Sequence, residues 1–241
     1  MKKNPVYLLL IIILSFGPCI KGQSLAEAQD YFNKGIHKLK INDFKGAVKD
    51  FNMAILNNPD FTEAFFNRGL SKSKMGDYNG AVQDYNKAIN MKIVYYEAYY
   101  NRGNAKRMLK DYTGAIKDYN TAIDINASYI EAYESRAGTK DDMEDYTAAI
   151  QDQNKVIQLD PKRPQAYYSR GSTKYKLSDF RGAIIDFDKV LSLISNDTKT
   201  LKYRGLAKFG LGDKDGACLD WSKAGELGLN EAYDLIKENC K

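Results

Sequence analysis

The sequence predicts an all-α fold: an α-solenoid of six helix–turn–helix units with a C-terminal capping helix. Three columns of residues carry the prediction. Gly35, Gly69, Gly103, Gly171 and Gly205 fall on one 34-residue grid, with Ala137 in the remaining slot. Ala47, Ala81, Ala115, Ala149, Ala183 and Ala217 fill a second column. Asp43, Asp77, Asp111, Asp145, Asp179 and Asp213 fill a third. A period of this length, held through six units, marks internal repetition.

Each unit reads as two helices. In residues 62–95, Ala64, Phe65 and Met75 lie on a first helix from Thr62 to Met75, with Gly69 where a close approach is needed. Gly76-Asp77-Tyr78-Asn79 is the turn. Ala81, Val82, Tyr85, Ala88 and Ile89 recur at helical spacing on a second helix from Gly80 to Met91. Two helices of this length cannot bury a core alone, whereas stacked neighbours can.

The unit resembles the tetratricopeptide repeat (TPR). The aromatic opening that pattern is Tyr31, Phe65, Tyr99, Tyr133 and Tyr167, with Leu201 in the sixth unit. The second-helix aromatic is Phe51, Tyr85, Tyr119, Phe187 and Trp221, with Gln153 in the fourth. The closing proline survives as Pro59 and Pro161. The resemblance spans residues 28–230 and implies a right-handed superhelix whose first helices line a concave groove for a protein or peptide partner. Glu231-Ala232-Tyr233 echoes Glu97-Ala98-Tyr99, so residues 231–241 are expected to form the capping helix; residues 23–27 are a short leader.

Charge is where the units depart from the family pattern. The slot before the glycine column, Leu in the family, holds Arg68, Arg102, Arg136, Arg170 and Arg204, with Lys34 in unit one. Four residues on stand Lys38, Lys72, Lys106, Lys140, Lys174 and Lys208. Cations at i and i+4 share one helix face and repel unless an acid intervenes. The second helices offer Asp50, Asp84, Asp118, Asp152, Asp186 and Asp220. A ladder of Arg–Asp ion pairs is therefore expected at the helix interfaces, within a unit or with the unit before. Binding of an anionic partner is the other use of the Arg row.

Beside the Arg column lie Phe32, Phe66, Tyr100 and Tyr168, each followed by a polar residue: Asn33, Asn67, Asn101 and Ser169. The resemblance implies that an Asn in this slot bonds the backbone of an extended peptide. Rings would supply area and amides direction. Solvated surface residues kept by repeat duplication are the alternative. The family's chaperone-tail clamp needs a Lys where Phe32, Phe66 and Tyr100 stand, so chaperone C-termini are not expected partners. Unit four is acidic at Glu131, Glu134, Asp141, Asp142 and Glu144, and its core is loosened at Ala137, Gly138 and Gln153. It reads as a hinge-like unit or as a patch for a basic segment.

Residues 1–22 read as a signal peptide: Lys2 and Lys3, an apolar run from Val6 to Leu14, then Gly17-Pro18, with cleavage after Gly22. An uncleaved anchor is the alternative. Pro18 stands where lipidation of Cys19 would need a small residue. Cleavage removes three lysines and no acid, so a net charge of +5 becomes +2, which argues against nucleic acid as partner. No membrane span remains after cleavage, and the protein is expected in the periplasm, at the outer membrane or outside the cell. Cys218 and Cys240 are then the remaining cysteines: a disulfide or two buried thiols.

No catalytic residue, metal site or cofactor is expected. The one histidine, His37, has no Cys or His beside it, and the carboxylates sit on repeated columns rather than as a unique pair. Gly210 to Gly216 lacks the endings of a phosphate or calcium loop and aligns with the other turns. The expected function is a non-catalytic scaffold or adaptor. The alternatives are a regulatory or ligand-binding sensor module and an enzyme accessory subunit.

Overall fold

A computed structural model describes residues 17–92 and 94–240, with thirteen helices and no strand among them. The chain divides into two compact halves at Lys110 and Asp111. The N-terminal half holds α1 (Gly17–Lys40), α2 (Phe44–Asn57), α3 (Thr62–Lys74), α4 (Tyr78–Met91) and α5 (Tyr96–Met108). The C-terminal half holds α6 (Tyr112–Ile125), α7 (Ile130–Asp142), α8 (Tyr146–Leu159), α9 (Pro164–Lys176) and α10 (Phe180–Leu193). It continues with α11 (Thr198–Gly210), α12 (Lys214–Glu226) and α13 (Glu231–Asn239). Residues 1–16 of the expected signal lie outside the described residues. The leader expected over 23–27 is helical, part of α1.

The aspartate column starts the second helices. Asp43, Asp77, Asp111, Asp179 and Asp213 are N-caps, each accepting at 2.9 Å from the backbone N–H of a glycine three residues on. Asp145 accepts from Ala148 instead, at 3.1 Å. A cap of this kind is worth about 1 kcal/mol. The residue before each cap reverses the chain in the left-handed region. Gly76 does so at φ 84° and Gly212 at 86°, while Asn42, Lys110, Glu144 and Ser178 do so despite carrying a side chain. The backbone N–H of Asp77 then returns to the Lys72 carbonyl at 2.9 Å, satisfying a carbonyl at the end of α3.

The glycine column makes room for the aromatic column. A Cβ on Gly69 would lie 2.8 Å from the Tyr85 ring, and one on Gly35 2.6 Å from Phe51. In the C-terminal half the same holds for Gly171 against Phe187 at 2.9 Å and Gly205 against Trp221 at 2.4 Å. These rings are buried. Repeat four changes both columns together, to Ala137 and Gln153. Its core carries a polar network in which Gln153 Oε1 is buried without a hydrogen-bond partner. The buried Gln153 Nε2 donates to Thr173 Oγ1 at 2.9 Å. That hydroxyl lies 3.1 Å from Asp141 Oδ1, and Lys176 holds the other carboxylate oxygen.

This coupling is testable. Gly69→Ala should destabilise the protein by about 2 kcal/mol through overpacking against Tyr85. Gln153→Tyr should also destabilise, because Ala137 occupies the ring's space. Ala137→Gly should relieve much of that cost, and urea melts of the two single variants and the double would show the coupling.

The array closes on α13. Leu201, Ala217, Trp221, Ala224 and Ala232 form a buried cluster, with Leu235, Ile236 and Cys240 packed on it. Cys218 on α12 and Cys240 just past α13 form a disulfide with a Cα–Cα distance of 5.9 Å.

Candidate protein interface

The charged columns meet inside repeats two, four, five and six. Asp84 on α4 is almost fully buried and accepts from Arg68 on α3 at both oxygens: Nε at 2.9 Å and Nη2 at 2.5 Å. Lys72 Nζ reaches the same carboxylate at 2.8 Å. One acid thus stands between two cations on one helix face, which removes their repulsion. In the C-terminal half Arg136 and Lys140 hold Asp152, Arg170 and Lys174 hold Asp186, and Arg204 and Lys208 hold Asp220. Repeat one differs: Lys38 reaches Asp50 at 2.7 Å, while Lys34 turns back to Asp30.

A further column completes the ladder. Arg68 Nη1 donates to Asn52 Oδ1 of the preceding repeat at 2.7 Å, and Arg102 to Asn86 at 2.6 Å. In the C-terminal half Arg136 reaches Asn120, Arg170 reaches Asn154 and Arg204 reaches Asp188. Sequence reasoning missed this column, although it follows the second-helix aromatic by one residue in every repeat but the fourth, where Asn154 follows Gln153. In repeats two to five the guanidinium also lies over the ring three residues earlier, Arg68 over Phe65 at 5.2 Å and Arg136 over Tyr133 at 5.4 Å, whereas Arg204 has Leu201 there. Hydrogen bonds that Arg204 donates to Asp220, then to Asp188, hold its guanidinium above its ordinary pKa. Arg68, Arg136 and Arg170 spend both edges and a face inside the protein and Arg204 both edges, which leaves no row of open guanidinium forks for an anion.

The rings expected to face a peptide are half-buried. Phe32 packs on Phe61 at 4.7 Å and Phe66 on Tyr95 at 4.8 Å. Phe61 and Tyr95 are the residues just before α3 and α5, so these rings join one repeat to the next. Much of their area is already spent. Burial, then the nearby carboxylates of Glu97 and Glu63, pushes the Tyr95 phenol well above its ordinary pKa. Tyr100 is also half-buried.

The polar neighbours are differently placed. Asn67 Nδ2 donates to the Glu63 carbonyl at 2.7 Å, and Asn101 Nδ2 to the Glu97 carbonyl at 2.7 Å. Each amide is locked by its own helix, leaving Oδ1 as an oriented acceptor. Asn33 Oδ1 accepts from Gln29 Nε2 at 3.0 Å. In repeat five Ser169 lends its carbonyl to Thr173, and in repeat six Tyr203 takes over the column.

Repeat four spends part of its acidity internally. Arg163 holds both oxygens of Glu134, at 2.7 and 2.9 Å, in the slots where Phe66 and Tyr95 stack. Repeat five breaks the pattern again: Tyr168 packs on Phe187 and on Tyr203, both at 6.0 Å, and Asp197 stands in the Phe61/Tyr95 slot. A cleft of about 190 Å³ opens there, between α9, α10 and the start of α11. Burial, then Tyr203 and Asp197, pushes the Tyr168 phenol up to about 12. Among the described residues no cluster of metal-ligating side chains occurs, and no helix is long and apolar enough to cross a membrane.

Repeats stacked by aromatic pairs and stapled by a buried ion ladder define a helical repeat array, a class that presents surface rather than an enclosed reaction centre. Tetratricopeptide repeat models match residues 62–92, 96–129, 130–163 and 164–197, over half of the sequence, and the chain belongs to the tetratricopeptide repeat family. Proteins of this family are in general non-catalytic and bind protein or peptide partners.

Among solved structures the chain is similar to MamA, at 26% identity over 74% of this chain and 96% of that one, with a TM-score of 0.66. It shares its fold with YrrB, described as a TPR protein with an unusual peptide-binding site, at 17% identity, with 78% and 97% covered and a TM-score of 0.67. It also shares its fold with part of a TPR repeat-containing protein from Cytophaga hutchinsonii, at 19% identity, with 81% and 78% covered and a TM-score of 0.75. No curated protein sequence matches the chain.

Proposed function

We propose that the protein is a non-catalytic scaffold or adaptor that holds an extended peptide segment of a partner against the first helices of its N-terminal half. The observation that carries this is the pair of locked amides. Asn67 and Asn101 occupy one repeat column, and their Nδ2 groups are committed to Glu63 and Glu97. Each Oδ1 can therefore accept from a peptide N–H with little ordering cost at binding. The neighbouring rings act as packing between repeats.

The compartment belongs to the same proposal. The N-terminal segment reads as an export signal, and the Cys218–Cys240 disulfide suits an oxidising compartment such as the periplasm or the exterior. Sequencing the N-terminus of the protein recovered from the envelope or the medium should give Gln23 as first residue. A start at Met1 in the soluble fraction would contradict export.

The binding test is a selection of displayed random peptides on the full chain, followed by titration. Peptides chosen by the wild-type protein should bind Asn67→Ala/Asn101→Ala about tenfold more weakly, the loss of two modest hydrogen bonds. Melting should be unchanged. Equal affinity for the double variant would overturn the amide row as the binding element.

A further inference from the structure

We infer that the cleft beside Tyr168 is an anchor pocket for a tyrosine side chain of a bound peptide. At the junctions from repeat one to two and from two to three, the ring of Phe32 or Phe66 is covered by the ring of Phe61 or Tyr95. From repeat four to five the same slots hold the Glu134–Arg163 pair. From repeat five to six the covering slot is Asp197, whose Oδ1 turns inward to cap α11 by accepting from the Thr200 N–H at 2.7 Å. Tyr168 is left without a ring in that slot, and the space remains as the cleft.

A second substitution falls in the same place. Thr200 occupies the column held elsewhere by Ala64, Ala98, Ala132 and Ala166. Its side chain is fully buried, lines the cleft, and its Oγ1 has no hydrogen-bond partner. A buried hydroxyl without a partner costs about 1–3 kcal/mol, so an array that otherwise repeats alanine here carries a penalty that a ligand could remove. Both departures from the repeat thus open onto one cavity.

The cavity's chemistry selects the occupant. Pro164, Val190, Ile194 and the Tyr168 ring give apolar walls, and Thr200 and Asp197 give polar groups at one side. Its volume of about 190 Å³ exceeds the roughly 150 Å³ that holds a benzene ring. A phenol side chain replaces the ring missing from the repeat. Its O–H donates to the remaining Asp197 oxygen, and its oxygen accepts from the Thr200 hydroxyl. Lys199 offsets the charge of Asp197 at the rim, so a neutral ring is favoured over a charged side chain.

The inference rests on the reading that the chain binds peptides, but it uses different residues, and its probe is a single amino acid. N-acetyl-tyrosinamide titrated into the full chain should move the methyl resonances of Val190 and Ile194 saturably. Thr200→Ala, which restores the alanine of the other repeats, should weaken that binding about fivefold. Binding of N-acetyl-phenylalaninamide should be weaker and indifferent to Thr200→Ala. Asp197→Tyr, which restores the covering ring, should abolish the shifts. Absence of methyl shifts with the tyrosine probe, or equal tyrosine binding by Thr200→Ala, would overturn the pocket. Unchanged peptide affinity in Asn67→Ala/Asn101→Ala with the tyrosine shifts intact would leave the pocket standing and locate the peptide backbone elsewhere.

Discussion

Asp84→Ala should lower the stability of the protein by about 3–5 kcal/mol, the cost of breaking a buried ion pair from one side. The carboxylate is 3% exposed and is shared by Arg68 and Lys72, at 17% and 22%. Its removal leaves two cations facing each other on one side of α3 with no acid between them. Lys72 can swing to water, but Arg68 is also pinned by Asn52 and by the face of Phe65. The loss should therefore fall near the middle of that range. Denaturant melts would measure it. Arg68→Leu combined with Asp84→Leu should cost much less than Asp84→Ala, because no charge is then left stranded. Peptide affinity at temperatures well below the melt should be unchanged in all these variants. A normal melt with lost binding would make the ladder a binding element instead of a structural one.

Removing the disulfide should have the next largest effect. Cys218 and Cys240 are 22 residues apart, and opening a loop of that size costs about 3 kcal/mol in the chain-entropy account. The double change to serine, or reduction of the wild type, should lower Tm by about 10 °C for a chain of this length. The loss should be concentrated at the C-terminal end. α13 is nine residues long, too short to persist alone, and it covers the cluster around Trp221. Amide exchange in α13 and α12 should rise first, and a uniform rise through the N-terminal half would contradict this.

The fold was legible because one period organises both helices of each repeat. The glycine, alanine and aspartate columns mark close packing, core and helix start, and each role follows from local chemistry: a missing Cβ, a small side chain, a carboxylate three residues before an N–H. The pairing direction of Arg68 was not legible. A residue and its counterpart 34 positions on share a column, so the period is silent on which neighbour is bonded. Stacking decides this, and the guanidinium bonds both ways, forward to Asp84 and back to Asn52. The stacking of Phe32 and Phe66 was not legible for the same reason, since only the structure shows Phe61 and Tyr95 over them. The Tyr168 cleft needed both kinds of information: the columns identify Asp197 and Thr200 as departures, and the structure places them against one cavity.

The division between a structural ladder and a binding row can be measured in one titration. A selected peptide is added to isotope-labelled full-length protein while the side-chain amides of Asn67 and Asn101 and the Nε–H of Arg68 are followed by NMR. The Asn amides should shift in proportion to peptide bound, and the Arg68 Nε–H, locked on Asp84, should stay in place and remain protected from exchange. Movement of the Arg68 signal with the Asn amides unmoved would contradict the assignment of ladder to fold and row to partner.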